Sequence, residues 1–509
     1  MDLAASNETQ YGSPKSPNEN RTRISWFGLA QERLSQTDSI IHDGIMSAKS
    51  FSLAKDLDEE LKQLAQMAPI VFAQRNACVP ISFLPAEILV HILTLYALNP
   101  GDDNKLARTK ARRWIVASHV CTRWREIVLG HATAWAEHVF SFAHEYVQDI
   151  ILKRAGAAPL TLQYYDHQEN KEEKRRFDFI LQHIDQIKRL DVWIYRHARI
   201  ARLFQALCSK ELPALEELVV EYGCAFDKEP PFFRGTGRAI VAPQLRACTL
   251  VSCFQPWNMR SLEDLELRTG PAGGSDRAVQ FLPNFTPLLE SLRSSPELRR
   301  LRITSYLSSA EFQEGQLVHL PLLEKIDITD KTLDHIPAIL SCLCLPPSCR
   351  ADMTCYSGDT LARSEPSEYE LIARIIQALA PKDANEASNP SSRPTHLSLF
   401  TPARRGDTLH IRIKDHILES LHCTCYLSTT DLARLCSLLA DEFHLDHVRS
   451  LSLSLPTPDH GDALWQQLFI VFPNVRLIDL HQEDDGPSHL ALPADFAHSP
   501  HRFYHLSIE

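Results

Sequence analysis

Apolar residues recur along the chain with two different periods, and the change of period marks where one kind of structure gives way to another. Leu53, Leu57, Leu61 and Leu64 follow one another at steps of 4, 4 and 3, which lines them along one face of a helix. An amphipathic helix is therefore expected over 47–78, packed on the next segment of the chain, because an isolated helix is marginal in water. A second helix is expected to start at Pro85, whose missing N–H costs nothing in a first turn, with Glu87 placed where the helix dipole favours a carboxylate. Ile88, Leu89, Ile92, Leu93 and Tyr96 give it a wide apolar stripe, and Asn99-Pro100-Gly101 supplies the stop. A further helical stretch is expected from Arg113 to Val128, with Val120, Cys121, Trp124, Ile127 and Val128 on one face and Trp135 beyond a break at Gly130.

After residue 158 a shorter motif takes over: apolar, two spacers, apolar, one spacer, apolar. The copies are Ile187-Leu190-Val192, Leu215-Leu218-Val220, Leu245-Cys248-Leu250, Leu262-Leu265-Leu267, Leu298-Leu301-Ile303, Leu323-Ile326-Ile328, Val448-Leu451-Leu453 and Val475-Ile478-Leu480. Each ends with the period of two that marks a short strand, and helical patterns such as Ile200-Leu203-Phe204-Leu207 precede several of them. Strand after helix implies parallel strands stacked side by side, each needing a neighbour to bury its apolar side. The central positions of the first six copies step by 28, 30, 17, 36 and 25 residues, so the repeat is irregular, and no ladder of Asn accompanies the strands. Between Ile328 and Val448 the pattern weakens. The stretch 381–394 reads as an insertion, and Thr395 to Leu399 as the point where the sheet resumes.

Leu84-Pro85-Ala86-Glu87-Ile88-Leu89, then Val120-Cys121-Thr122-Arg123-Trp124-Arg125, then Trp135 form a spaced set that resembles an F-box. The match covers about residues 80 to 138. It departs from the family in the segment Asn99 to Arg112, which is longer and more charged than the usual connection between helices. The repeats in turn resemble a divergent leucine-rich-repeat solenoid. The residues before 47, with few clustered apolar side chains, are expected to form a tail without structure over 1–46, followed by the helix over 47–78. The resemblances add a helical F-box-like module over 79–140 and an irregular repeat region with parallel strands over 150–509, an α/β chain. The F-box resemblance implies docking on the adaptor subunit of a cullin-RING (SCF-type) ubiquitin ligase and, through it, on a cullin. The residues it assigns to that contact are Leu84, Pro85, Glu87, Ile88, Leu89, Ile92, Val120, Cys121, Trp124 and Trp135. The repeats would then recruit a protein substrate, and the chain itself would catalyse nothing and need no cofactor. A repeat scaffold outside any ligase stays open, as does an enzyme with its site in the weakly patterned stretch Lys331 to Asp431.

Residues that alternate with the leucine-like positions point to the open side of such strands. They are the candidate substrate-binding residues: Asp191, Trp193, Val219, Glu221, Glu266, Arg268, Arg302 and Asp327, with Ser452 and Asp479 in the last copies. Their mixed polarity suits a protein ligand.

Composition narrows these readings. Against 53 Lys+Arg stand 64 Asp+Glu, a formal net charge of −11, which opposes sequence-independent binding to nucleic acid or anionic membrane. The basic runs Arg108–Arg113 and Lys171–Arg176 read as solvated surface, the second interleaved with Glu172 and Glu173. Only 17 glycines occur, and neither GxGxxG nor GxxxxGK[ST] is present, which weighs against a nucleotide-binding enzyme. The longest apolar runs, Ile88–Leu98 and Ile336–Leu345, are shorter than the roughly 18 to 20 residues that cross a bilayer. With no leader-like start, a cytoplasmic or nuclear protein with reduced thiols is expected. Cys342, Cys344, Cys349 and Cys355, with Cys423 and Cys425, raise the question of zinc, but Cys-x-Cys alternating with Leu343 and Leu345 fits a buried strand better than two zinc knuckles. The 23 histidines accompany no HExxH, GxSxG or cysteine-nucleophile signature.

Overall fold

The computed structural model describes residues 28, 30–35, 48–98, 106–142, 144–166, 170–223, 233–235, 237–269, 285–306, 317–330, 335–346, 348–355, 368–379, 396–400, 408–414, 418–424, 429–443, 448–454, 470–475, 477–480 and 505–508. Most of the expected tail and the whole insertion at 381–394 lie outside these residues. The chain forms two compact units, one of Met1–Leu93 with Val116–Ile127 and the other of Thr94–Ile115 with Val128–Glu509. The division runs through the expected 79–140 module rather than at its end.

In the first unit, helix α1 spans Ala48–Ala77. Ahead of it, residues 30–35 are helical and not structureless as expected, and Arg33 reaches back to Glu60 at 2.7 Å. The expected apolar stripe on α1 is covered only at its start. Leu53 is buried and Leu57 half-buried, whereas Leu61 stays 63% exposed and Leu64 is also exposed. A 3-10 turn, Pro80–Phe83, leads to Leu84, which is extended at ψ 142° as the ring of the following proline requires. Helix α2, Ala86–Leu98, then begins, its first bond running from the Leu89 N–H to the Pro85 carbonyl at 3.1 Å.

The single helix expected from Arg113 to Val128 is in fact two. Helix α3 covers Leu106–Ala117 and helix α4 covers Thr122–Gly130. Turn bonds from His119 to the Val116 carbonyl and from Val120 to the Ala117 carbonyl close off α3. The described part of the charged segment read as a connection, 106–112, is thus helical. Ala111, Trp114 and Ala117, at steps of three, form its buried side, and Arg112 lies outward. Helices α5, Ala132–Ala136, and α6, Glu145–Ala155, come next.

The second unit is mixed α/β, built around one large and mostly parallel sheet. Its strands are β1 Leu160–Tyr165, β2 Ile187–Ile194, β3 Glu217–Tyr222, β4 Ala247–Val251, β5 Asp264–Arg268, β6 Arg300–Thr304, β7 Lys325–Asp330, β8 Arg350–Cys355, β9 His396–Phe400, β10 Thr408–Lys414, β11 Leu418–Thr424, β12 Ser450–Ser454, β13 Leu477–Leu480 and β14 His505–Ile508. In space, β1 to β8 keep chain order, β11, β10 and β9 come next in reverse, and β12 to β14 complete the sheet. Helices α7 Lys171–Gln182, α8 His197–Leu207, α9 Phe285–Arg293, α10 His335–Ser341, α11 Glu368–Leu379 and α12 Thr429–Phe443 lie between strands in the chain.

The motif residues behave alike from strand to strand. Leu190 and Val192, Leu218 and Val220, Cys248 and Leu250, Leu265 and Leu267, Leu301 and Ile303, and Ile326 and Ile328 are all buried. The first apolar residue of the copy closes a turn in several repeats, from Leu215 to the Leu212 carbonyl, Leu245 to Ala242, Leu298 to Ser295 and Leu323 to Leu320. That turn aims each strand into its place beside the last.

The all-parallel expectation fails at one strand. β10 pairs antiparallel with both β9 and β11. Only residues 415–417 join β10 to β11, too few for the crossover that a parallel pair needs, so the chain has to double back. Strands β1 and β8 also stand outside the repeat copies read from the sequence. β1 carries the same alternation, with Leu160, Leu162 and Tyr164 buried, and β8 replaces the motif leucines by Ala351 and Met353.

The start of the sheet is pinned by one buried carboxylate. Asp166, whose side chain is fully buried, pairs with Arg196 and Arg199. Its backbone N–H donates to the Trp193 carbonyl at 2.8 Å, and its carboxylate accepts from the Tyr195 N–H at 3.4 Å. Arg199 also donates to the Tyr164 hydroxyl. This network joins β1, the end of β2 and the first turn of α8. Asp166→Ala leaves the guanidinium of a mostly buried Arg199 without its carboxylate, and is expected to cost about 3 kcal/mol. Urea unfolding would read this directly, and a loss well below 1 kcal/mol would show that the network contributes little.

Candidate functional site

Two surfaces hold the residues singled out in the sequence. The first belongs to the start of α2. Pro85, Glu87, Ile88 and Ile92 are exposed and Leu84 is half-buried, while Leu89 and Leu93 are buried. Residues four apart share a side of a helix, so Ile88 and Ile92 make a ridge, 47% and 37% exposed, about 100° around the helix from the buried row of Leu89 and Leu93. Phe83, 75% exposed, extends the apolar surface ahead of Pro85. Arg123 of α4 donates to the Leu84 carbonyl, fixing the Leu-Pro corner on which the ridge begins. Arg123 escaped the sequence reading because it fell at a spacer of the motif.

Several residues expected to join this contact do something else. Leu89 is fully buried, a core residue, because it lies about 100° around α2 from Ile88, on the side that faces the interior. Trp135 is buried too, and its indole N–H donates to the Val128 carbonyl at 2.8 Å, so it closes the corner between α4 and α5. Val120 is exposed, in the break between α3 and α4. Cys121 and Trp124 are half-buried.

The second surface is the open side of the sheet. Strand register brings the scattered candidates into two adjacent rows. Asp191, Val219, Thr249, Glu266, Arg302, Asp327 and Asp352 occupy one row across β2 to β8. Tyr165, Trp193, Glu221, Val251, Arg268 and Thr304 occupy the next. Ser452 and Asp479 likewise stand opposite each other in β12 and β13. Thr249, Val251, Thr304, Asp352 and Tyr165 were not among the sequence candidates. Alternation alone would have found Thr249, whereas Tyr165 and Asp352 sit on strands whose apolar residues do not spell the motif.

Over the middle of this surface opposite charges alternate. Arg302 lies 3.4 Å from Glu266 and 3.6 Å from Asp327, Lys325 lies 2.9 Å from Asp327, and Arg300 lies 3.0 Å from Asp264. Such half-exposed pairs each contribute little to stability, and they leave the middle of the sheet electrically balanced. The β1–β3 end is different. Burial and the neighbouring Glu217 and Glu221 raise the Asp191 pKa above the usual carboxylate range, and burial raises that of Glu221 against a partial offset from Arg268. Beside them Tyr165 and Trp193 meet edge to face at 6.2 Å, and Trp193 and Tyr195 stack at 5.9 Å.

No group of three or more His, Cys, Asp or Glu side chains gathers as a metal site among the described residues. Cys342 and Cys349 are buried and Cys344 half-buried, and all three are free thiols. Among the described residues no helix is long and apolar enough to cross a membrane.

A carboxylate whose pKa is raised on folding stabilises the fold only while protonated, so its contribution is complete at low pH and disappears as pH rises through the folded pKa. Asp191→Asn is therefore expected to raise the urea midpoint at pH 7 and to change it little at pH 3. An unchanged or lower midpoint at pH 7 would contradict this account. Burial also lifts the Cys248, Cys349 and Cys436 thiols to about 12, which keeps them protonated at pH 8. A thiol-specific reagent at pH 8 should label exposed Cys78 in the native chain and reach these three only after unfolding; native labelling of any of the three would count against their burial. Neither a family model nor a curated protein matches this chain, so the two surfaces themselves carry the functional reading.

Proposed function

We propose that this protein is a substrate-recognition subunit of a cullin-RING ubiquitin ligase. In this reading the Leu84–Ile92 surface docks on the adaptor and the open side of the sheet receives a protein substrate. The observation that carries it is the exposed ridge of Pro85, Ile88 and Ile92 beside a helix row, Leu89, Leu93 and Ala97, that is buried. Two neighbouring β-branched apolar residues held in water by a folded unit are what an amphipathic helix offers to an apolar groove on a partner. The Leu-Pro-x-Glu-Ile-Leu and Val-Cys-x-x-Trp-Arg sequences around it resemble an F-box, which supports the adaptor as the partner.

The sheet supports the other half. One open side, with its polar residues in register over many strands, offers a broad surface with positions for many side chains, which suits a protein and not a small molecule. The chain would hold the substrate near a ubiquitin-carrying enzyme supplied by other subunits, making transfer effectively intramolecular.

Ile88→Glu with Ile92→Glu places charge on the ridge while leaving Leu89 and Leu93 in the core. Co-expression with the adaptor and then size-exclusion chromatography should give a complex for the parent chain and none for this variant. Each lost anchor corresponds to about 2 kcal/mol, or roughly thirtyfold in affinity. Leu89→Ala should instead destabilise the fold by about 3 kcal/mol. A complex that survives the double substitution, or a parent chain that never captures the adaptor, would sink the ligase reading and favour a repeat scaffold.

A further inference from the structure

The β1–β3 end of the open sheet surface differs from the rest in having carboxylates in excess and aromatic rings beside them. Glu217 is held by Arg189 at 2.5 Å, and among the described residues Glu221 has only Arg268, at 3.6 Å. Among the described residues, no cation lies within ion-pair distance of Asp191. Asp191 and Trp193 alternate on β2, so both side chains rise from the same side, and the register sets Trp193 directly between Tyr165 of β1 and Glu221 of β3.

The rings are laid down by a feature of the backbone. Gly223 comes directly after β3, its N–H donating to the Ile194 carbonyl at 2.9 Å. A Cβ at Gly223 would stand 2.9 Å from the Trp193 Nε1 and 3.0 Å from the Tyr195 Cε1. The absence of a side chain there lets both rings lie over the neighbouring strand. Among the described residues the buried Trp193 N–H has no hydrogen-bond partner, which carries a desolvation cost.

We propose that this patch receives a cationic side chain, a lysine or arginine on an extended segment of a protein partner, between the faces of Trp193 and its tyrosine neighbours and the carboxylates of Asp191 and Glu221. This deepens, and rests on, the reading of the sheet as the substrate surface. An anion would be repelled by Asp191 and Glu221, and an apolar side chain would strip water from carboxylates without replacing it. A cation satisfies both groups at once: ring faces attract it through their quadrupole, and half-desolvated carboxylates attract it more strongly than exposed ones do. The balanced pairs over β5 to β7 offer no such excess, so the contact is confined to the first three strands.

A fluorescein-labelled peptide of alternating serine and lysine, and its counterpart with glutamate for lysine, would be titrated with the full chain at low ionic strength and monitored by anisotropy. The lysine peptide should bind and the glutamate peptide should not. Trp193→Ala and Asp191→Asn should each weaken binding about tenfold, and Trp193→Phe, which keeps an aromatic face, by less. Glu324→Gln, which removes a carboxylate paired with Arg299 at the entrance of β7, should leave affinity unchanged. Equal affinity for the two peptides, or equal affinity of the parent chain and Asp191→Asn, would overturn the proposal. Adaptor capture by the same preparations separates this idea from the one it rests on. Capture without lysine-peptide binding overturns the cation site alone, whereas peptide binding sensitive to Trp193 without capture supports the site and removes the ligase.

Discussion

A parallel strand cannot satisfy its own backbone, and the second unit is organised around that fact. Each of β2 to β8 exchanges hydrogen bonds with the strand on either side, and its leucine-like residues form an apolar side that no single repeat could cover. The turn closed by Leu215, Leu245, Leu298 and Leu323 starts successive strands at equivalent points, so register propagates. Because closing a longer loop costs only slightly more than closing a short one, copies can be 17 or 36 residues apart and still place their strands in neighbouring positions. The regularity is in the strand and its turn, and the irregularity is confined to what joins them.

That register is what turns dispersed polar residues into a surface. Asp191 and Asp327 are 136 positions apart in the chain, yet they occupy the same row of the sheet. Once in a row, neighbouring charges interact. Over β5 to β7 they alternate in sign and neutralise one another, and over β1 to β3 the carboxylates outnumber the available cations. The same geometry thus yields a balanced stretch and an unbalanced one, and only the unbalanced stretch has a clear preference for the charge of a ligand.

The first unit shows a related division in a helix. Helix α2 is apolar almost all round, so its composition alone does not say which side faces inward. Leu89 and Leu93 are taken into the interior, and Ile88 and Ile92, one residue before each, are left in water. A rotation of roughly 100° per residue separates the two pairs. One pair stabilises the fold and the other is available to a partner.

The amino-acid sequence by itself determined the alternation of helix and strand, the buried strand positions of the first six repeat copies and the helix start at Leu84-Pro85, because these depend on local period and on the stereochemistry of proline. It named eight of the residues on the open side of the sheet, because strand alternation is local as well. Tertiary structure alone decided the rest. The antiparallel run of β10 comes from a three-residue connection between strands that carry no motif, and the burial of Leu89 and Trp135 depends on which neighbours arrive. The pairing of Arg123 with the Leu84 carbonyl, of Trp193 with Tyr165, and of Asp166 with two arginines joins residues about 30 or more positions apart in most cases, contacts that no local pattern encodes. Period fixes which way a side chain points; only the packed chain fixes what it meets.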